Sequence, residues 1–213
     1  VVIRPPNFAT LPLLIEGTAP LCIHRFSKKA QLMEKMAVGS PAKSRKEKTP
    51  RDYQKETDDA RYWNSTHEWE GVNASAFRCG MISACRLVGF KMTLAKLSLF
   101  VIQDDFDVEG KTPLVRIYGE SEEDTSACRN ATGVIDIRAR PIYKKWAMTV
   151  NIRFDADQFT TEDVVNLLSR VGVQVGIGEG RADSSSSAGV GWGSFRVVPL
   201  ANEDAVKSAF GLP

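Results

Sequence analysis

Strict alternation of apolar and polar positions marks the segment from Trp146 to Asp155. Its apolar positions are every second residue, namely Trp146, Met148, Val150, Ile152 and Phe154. A side-chain period of two is the period of a β-strand, so this segment is predicted to be a strand with one buried face. Further strands are predicted at the shorter apolar runs 11–17, 97–103, 114–118 and 192–198.

The segment Val134–Tyr143 also alternates, and its polar positions include two arginines. One face of the predicted strand is apolar, formed by Ile135, Ile137 and Ala139. The other face is polar, formed by Asp136, Arg138 and Arg140. Arginines on the open face of a sheet are either solvated or able to contact bases. The acidic stretch Glu120–Asp124 that precedes this strand is expected to be a solvated turn.

Two segments have the 3.6-residue spacing of an amphipathic helix. The first begins at Asn73, a good capping residue, and its apolar face is Phe77, Met81, Ala84, Cys85 and Val88. The second follows Thr160, which forms a predicted capping box with Asp163, and is expected to end at Gly172. Its apolar stripe is Val164, Leu167, Leu168 and Val171.

The order of these elements predicts an α+β fold, with a short terminal helix at Asn202–Phe210. The order is compatible with one elaborated ferredoxin-like domain (βαββαβ, RRM-like) over residues 1–213. Such a domain covers one face of its sheet with two helices and leaves the other face free. No apolar run approaches the roughly 20 residues of a membrane span. We therefore expect a cytoplasmic protein that has no contact with a membrane.

Seven of the sixteen glycines lie between Gly172 and Gly193, just before the last predicted strand. Glycine adopts positive φ angles and allows another backbone to approach closely. A glycine-rich loop of this kind suits contact with a sugar-phosphate chain, and a flexible Gly/Ser connection is the alternative. The backbone amides expected to contact phosphates are those of Gly176, Gly178, Gly180, Gly189, Gly191 and Gly193. Trp192 is interpreted either as a stacking residue for a base or as a core tryptophan.

Residues 28–61 form a basic insertion with ten Lys/Arg, six Asp/Glu and few large apolar residues. Gly39, Pro41 and Pro50 interrupt any helix, so a mobile arm is predicted. Such an arm either neutralises the phosphates of a nucleic acid or is a solvated loop with no binding role. Its candidate phosphate contacts are Lys28, Lys29, Lys43, Arg45, Lys46, Lys48 and Arg51. The candidates outside the arm are Arg25, Arg78, Arg86 and Arg181.

Composition adds little evidence for catalysis. The 213 residues are 43% hydrophobic and carry a net charge of +2. Any positively charged surface that binds a nucleic acid must therefore be confined to a local patch. The four cysteines show no Cys-x-x-Cys spacing, which argues against a zinc site. His24 is a weak catalytic candidate, because general acid–base catalysis needs a partner that the sequence does not identify. We expect no cofactor, no metal and no enzymatic activity.

Three segments occur in a characteristic order, at 18–24, 75–86 and 189–197. Thr18–His24 reads Thr-Ala-Pro-Leu-Cys-Ile-His, and Ser75–Arg86 begins Ser-Ala-Phe-Arg. Gly189–Val197 reads Gly-Val-Gly-Trp-Gly-Ser-Phe-Arg-Val. Together they resemble the RAMP superfamily, the ferredoxin-like RNA-binding subunits of CRISPR effector complexes. Uncharacterised phage and prophage proteins are similar to the chain in the same way, which implies a bacterial or phage-infected cell.

The resemblance implies a non-catalytic subunit that binds single-stranded RNA or DNA, with RNA favoured. Copies would pack side by side along the strand as a homo-oligomer or filament, alone or within a larger complex. A second hypothesis is a phage assembly protein that uses the same fold and an interlocking arm. A third hypothesis is a metal-independent endoribonuclease centred on His24.

Overall fold

The molecule combines short helices with antiparallel sheets, and its computed structural model describes residues 3–25, 51–129, 135–184 and 189–213. The strands are β1 (Phe8–Gly17), β2 (Leu21–Cys22), β3 (Gly71–Asn73), β4 (Leu99–Ile102), β5 (Asp105–Phe106), β6 (Pro113–Arg116), β7 (Ser121–Arg129), β8 (Ile135–Tyr143), β9 (Ala147–Asp155) and β10 (Phe195–Val197). The helices are α1 (Tyr53–Asp59), α2 (Ser75–Ala84), α3 (Met92–Ser98), α4 (Thr161–Arg170) and α5 (Glu203–Phe210). The predicted α+β class is confirmed.

The main sheet has four antiparallel strands in the spatial order β10-β1-β9-β4. β9 is flanked on both sides, so that Ile152 pairs with Leu11 of β1 and with Val101 of β4. The alternate residues of β9 that are buried on one face are Met148, Val150, Ile152 and Phe154. The strand predicted from alternation is therefore confirmed.

Helices α2 and α4 cover that buried face of the main sheet. Phe77 and Met81 of α2 and Leu168 of α4 are fully buried in the same core as β9. The predicted capping box is confirmed, because Thr160 Oγ1 accepts the backbone N–H of Asp163 at 3.1 Å and Asp163 accepts the backbone N–H of Thr160 at 2.9 Å. None of the described helices has the length and apolar character that crossing a membrane requires.

The opposite face of the main sheet is covered in part by α5. Strand side chains alternate between faces, so Leu14 of β1 and Ala147 of β9 point away from α2 and α4. They form a second, smaller apolar cluster with Val198 and with Val206 of α5.

Two further sheets of three strands have the orders β2-β8-β7 and β3-β6-β5. A polar network links them, since Arg61 Nη1 donates to Glu70 Oε1 at 2.6 Å and the Tyr143 hydroxyl donates to the other oxygen of Glu70. Burial and the adjacent carboxylate raise the pKa of Tyr143 above its ordinary value. The network joins the end of α1 to the chain before β3 and to β8.

The prediction of a solvated turn at Glu120–Asp124 was wrong. β7 begins at Ser121, and its residues pair one by one with β8, with Glu122 opposite Ile142. Acidic side chains lower strand propensity, but this strand hydrogen-bonds its backbone to a neighbour while its carboxylates remain accessible to water. Pairing with β8 therefore overrode the local composition.

The predicted placement of Arg140 on an open sheet face was also wrong. Arg140 is 4% exposed, whereas Ile137 on the supposedly buried face is 43% exposed. From Ala139 onward β8 is buried on both faces, because β2 pairs with it and α1 packs against it. Alternation along a strand cannot reveal where a second layer begins.

The second helical segment continues beyond its predicted end at Gly172. A further turn, Val171–Val175, follows α4, and the helical segment ends at Gly176 with a φ of 75°. Gly172 is instead buried against β10, where an added Cβ would lie 2.8 Å from the ring of Phe195. The glycine at position 172 therefore allows close packing of helix on strand.

Most of the predicted basic insertion falls outside the described residues, which include only its end from 51 to 61. There Asp52 caps α1 by accepting the backbone N–H of Lys55 at 3.0 Å. Arg51 Nε donates to Glu56 at 3.2 Å. The candidate residues that lie outside the described part of the chain are Lys28, Lys29, Lys43, Arg45, Lys46 and Lys48.

Candidate functional site

A cleft of about 410 Å³ lies where three distant segments of the chain meet. The chain after β2 contributes Ile23 and His24 to the wall of the cleft. The residues that α2 contributes include Ser75, Cys79 and Ser83. The segment after α4 contributes 175–179, Arg181 and Asp183. Its volume lies within the range of about 300–1,000 Å³ that small-ligand sites occupy.

Backbone hydrogen bonds hold the glycine-rich segment against the chain that follows β1. Gly193 donates to the Pro20 carbonyl oxygen at 2.7 Å, and Glu179 donates to that of Cys22 at 2.9 Å. Ile177 in turn donates to the Gly193 carbonyl oxygen at 3.1 Å. Residues 177–179 therefore form a fixed wall of the cleft, and Gly193, which does not line it, holds them in place through its hydrogen bond with Ile177.

Two glycines of this segment, Gly178 and Gly193, are required by contacts of the chain with itself. Gly176, Gly178, Gly180, Gly189, Gly191 and Gly193 all have φ angles between 65° and 81°. An added Cβ at Gly178 would lie 2.5 Å from the Cys22 carbonyl oxygen. At Gly193 it would lie 2.8 Å from the Ile177 carbonyl carbon and closer still to the oxygen. The sequence predicted that these glycines allow a ligand to approach the backbone closely. At Gly178 and Gly193 they instead allow another part of the chain to approach.

Gly191 differs from Gly178 and Gly193 in having no close contact with the described residues. A Cβ added there meets no atom of the described residues within 4 Å. Its neighbour Trp192 is half-buried and packs over Gly180, whose added Cβ would lie 2.8 Å from the indole ring. Trp192 thus packs against the glycine-rich segment, and the described residues leave the space beside Gly191 unfilled.

Asp183 ties the glycine-rich segment to α2. Its carboxylate accepts the hydroxyl of Ser83 and lies 3.0 Å from Arg86 Nη2. The Ser83 hydrogen bond and then the charge of Arg86 hold the pKa of Asp183 below its usual range, against an opposing effect of burial. Arg86, a predicted phosphate contact, is therefore engaged in an ion pair at the edge of the cleft.

Two other predicted phosphate contacts are engaged in holding the fold. Arg78 Nε donates to the Leu99 carbonyl oxygen at 2.9 Å and lies over the ring of Phe100. Arg25 Nη2 donates to Glu109 at 2.8 Å. In contrast, Arg181 lies in the cleft wall, where its Nη1 donates to the Gly178 carbonyl oxygen at 3.1 Å.

His24 lies at the mouth of the cleft, and the residue is exposed overall. Partial burial of the imidazole lowers its pKa below the ordinary value, and the charges of Arg138 and Arg140 lower it further, while Glu179 opposes the shift. The imidazole is therefore neutral at pH 7. It can accept one hydrogen bond and donate another.

Arg140 is a buried charge beside the cleft that sequence reasoning did not identify as part of it. Its guanidinium donates to Ser126 Oγ at 2.7 Å and lies 3.6 Å from Asp124 and 3.8 Å from Glu179. Its Nε is buried without a hydrogen-bond partner among the described residues. No local signal predicts this cluster, because its members come from β7, β8 and the glycine-rich segment.

The cleft presents hydrogen-bonding groups of both kinds. His24 and Arg181 offer donors, the first turn of α2 lies at its edge, and Glu179 and Asp183 are acceptors. Such a mixed set favours a polar ligand held by several hydrogen bonds over one held by charge alone. Comparison of the chain with protein-family models and with curated proteins gave no match.

Proposed function

We propose that the protein is a non-catalytic single-stranded nucleic-acid-binding protein, with RNA favoured over DNA, that assembles with copies of itself along the strand. The observation that carries the proposal is the contact among the three segments whose sequences resemble the RAMP superfamily. Gly193 of the third donates to Pro20 of the first at 2.7 Å. The rings of Phe77 in the second and Phe195 in the third lie 6.0 Å apart. The first and second segments also line the cleft, the first through Ile23 and His24 and the second through Ser75, Cys79 and Ser83.

The order of strands in the main sheet supports the same proposal. β1, α2, β4, β9, α4 and β10 follow one another along the chain as βαββαβ. Their spatial order, β10-β1-β9-β4, corresponds to fourth, first, third and second strand. We therefore assign them to an elaborated ferredoxin-like core, with the two smaller sheets as additions. RNA-recognition motifs use the free face of such a sheet to contact bases.

Positive side chains near the cleft suit a phosphate backbone. Arg138 of β8 lies close enough to His24 to lower the pKa of its imidazole, whereas Arg140, which also lowers it, is buried beside Ser126, Asp124 and Glu179 and is not accessible to a phosphate. Arg181 stands in the cleft wall. Because Glu179 and Asp183 are also present, contacts between the cleft and the phosphate backbone are expected to be few. The basic arm is therefore expected to contribute much of the affinity.

Binding to single strands is expected to weaken steeply with salt, because neutralising phosphates releases counterions. A labelled RNA oligonucleotide and the DNA of the same sequence, measured by fluorescence anisotropy, should each lose about tenfold or more in affinity between about 50 and 200 mM salt. Replacing Lys43, Arg45, Lys46 and Lys48 by Gln should weaken binding to all sequences alike.

The matched control replaces four exposed lysines elsewhere, Lys91, Lys96, Lys144 and Lys145, by Gln. It removes the same charge and should change the affinity far less. Wild-type protein that binds neither RNA nor DNA contradicts the proposed function. Binding that survives in the arm variant would assign the arm to contacts between subunits, as in the phage assembly hypothesis.

A metal-independent endoribonuclease is the second candidate, and His24 is the observation that favours it. Its lowered pKa keeps the imidazole neutral at pH 7, which is the form that accepts a proton. Such a nuclease would have its base at the mouth of the cleft, beside the positive charges of Arg138 and Arg140.

We nevertheless expect the wild-type protein to leave RNA intact. His24→Ala should change single-strand affinity less than about threefold, because a neutral imidazole contributes no charge to phosphate binding. Labelled RNA incubated with pure protein and a chelator, then resolved on a denaturing gel, checks both points, with His67→Ala as the control. Specific products that disappear only in His24→Ala would establish the nuclease.

A further inference from the structure

Two clusters in which an exposed arginine lies over aromatic rings occur close together, one on the face of the main sheet opposite α2 and α4 and one beside that face, on β6 and the neighbouring chain. α5 covers this face around Leu14 and Ala147. Beyond that helix, the remaining face extends along β9 toward Arg153 and across to Phe100 of β4. Neither cluster contains a residue that the sequence had marked for binding.

The first cluster consists of Arg153, Phe8 and Phe100. The Arg153 guanidinium carbon lies 4.6 Å from the centre of the Phe8 ring and 6.0 Å from that of Phe100. The two rings contact each other edge to face, with centroids 5.8 Å apart. Both rings are half-buried and Arg153 is exposed, so the cluster is a fixed aromatic base under an accessible guanidinium.

The second cluster consists of Arg116, Tyr118 and Trp69. The Arg116 guanidinium carbon lies 4.7 Å from the Tyr118 ring centre and 5.8 Å from that of Trp69. Arg116 is exposed, and all three residues line a cleft of about 490 Å³ at the edge of α5. Contact with two aromatic rings restrains the guanidinium, and because Arg116 is exposed, part of this planar group is accessible to a ligand.

Asn151 joins the two clusters. It lines the cleft of Arg116 and stands two residues before Arg153 on β9, a distance of about 7 Å along a strand. Its cross-strand partners are Pro12 of β1 and Ile102 of β4, and Ile102 is 38% exposed. The two guanidiniums are therefore connected by a continuous surface that offers an amide group for hydrogen bonding.

We propose that this surface binds the bases of the same single strand whose backbone meets the cleft and the arm. The proposal rests on the proposed function and adds to it a site for the bases. Unstacked bases are recognised by stacking on aromatic side chains and on arginine planes. An exposed arginine–aromatic pair supplies such a plane, and the repetition of the pair along one continuous surface matches a ligand that carries successive planar groups.

The charges of the surface indicate that stacking dominates over phosphate binding. Asp104 and Glu203 line the cleft of Arg116 together with Lys207, so positive and negative groups nearly balance there. Asp104 accepts the backbone N–H of Arg116 at 2.8 Å. A phosphate gains little in such surroundings, whereas a neutral base that stacks on a guanidinium does not meet net repulsion.

The test replaces Arg116 and Arg153 by Lys, singly and together. Lysine keeps the charge and loses the planar group. The double variant should bind a fluorescein-labelled single-stranded RNA of twelve nucleotides about tenfold more weakly than wild type; this length lies within the range of about 4–16 nucleotides that one OB-fold covers. Its dependence on salt and its melting temperature should be unchanged. Arg170→Lys, on the exposed side of α4, is the matched control and should bind as wild type does.

A second measurement locates the bases directly. RNA that carries 5-iodouridine should crosslink under ultraviolet light to peptides that contain Phe8, Phe100, Trp69 or Tyr118. Affinity unchanged in the double variant, or crosslinks confined to the cleft and the arm, overturns the base site while leaving the proposed function in place. Wild-type protein that binds no single strand overturns both. A change of subunit assembly with unchanged RNA affinity would make this face a protein contact.

Discussion

Gly193→Ala is expected to lower the free energy of unfolding by roughly 3 kcal/mol or more. Its φ of 68° costs an L-residue about 1–2 kcal/mol, and the added methyl group would overlap the Ile177 carbonyl group, which adds roughly 1–3 kcal/mol of overpacking. The hydrogen bonds that Gly193 makes to Pro20 and Ile177 would also be displaced. Urea unfolding followed by circular dichroism measures the effect.

Gly191→Ala is the matched control for this change. Its φ of 81° carries a similar conformational cost, but its added methyl group meets no described atom within 4 Å. We expect a loss of about 1 kcal/mol together with about tenfold weaker RNA binding, since the methyl group would occupy the space left for a ligand. Equal destabilisation by both variants would contradict the contact between Gly193 and Ile177 as the cause. Normal RNA binding by Gly191→Ala would show that the loop tip does not touch the strand.

Trp146→Ala is expected to cost about 3–5 kcal/mol, the range for removing a fully buried aromatic side chain. The Trp146 side chain is entirely buried, and its Nε1 donates to the Ala19 carbonyl oxygen at 2.9 Å. Its ring centre lies 6.2 Å from that of Phe195. The change therefore removes the contact that joins the chain after β1 to β9 and β10. The loss of packing in the core is expected to disturb the cleft as well.

Two further variants separate the causes. Trp146→Phe keeps an aromatic ring and loses the hydrogen bond to Ala19, so it should cost less than Trp146→Ala. Trp63→Ala removes a half-buried indole that stacks on His67 at 4.4 Å and should cost about 1 kcal/mol. Chemical denaturation of all three proteins checks the order. A cost for Trp146→Ala no larger than that for Trp63→Ala would contradict the central place of Trp146 in the core.

The candidate binding surfaces were predictable only in part. Glycine density and the Trp192 segment drew attention to the wall of the cleft, and His24 and Arg181 do line it. The reason for the glycines could not be read from the sequence, because it depends on which carbonyl groups approach Gly178 and Gly193 in space. The predicted contacts Arg25 and Arg78 are engaged elsewhere for the same reason, since their partners are remote in sequence.

The cluster around Arg153 was likewise predictable only in part. Alternation along β9 places Asn151 and Arg153 on the face opposite the apolar residues, which is a sequence property. That Phe8 and Phe100 lie beside Arg153 depends on the register of β1 and β4 against β9. The residues of one strand do not show which residues lie beside them on the adjacent strands. The contact of Arg153 with the two phenylalanines could therefore be recognised only in the assembled sheet.

By itself, the sequence determined the local elements whose periodicity is strong. The alternation of β9, the apolar stripe of α4 and the Thr160 capping box each arise from interactions within a few residues, and such interactions are encoded where they act. The tertiary structure decided what depends on a second layer. It buried Arg140 beside Ser126, Asp124 and Glu179, paired the acidic strand β7 with β8, and carried the helical segment past Gly172. In each case a long-range contact supplied free energy that outweighed the local preference, and no window of sequence contains that contact.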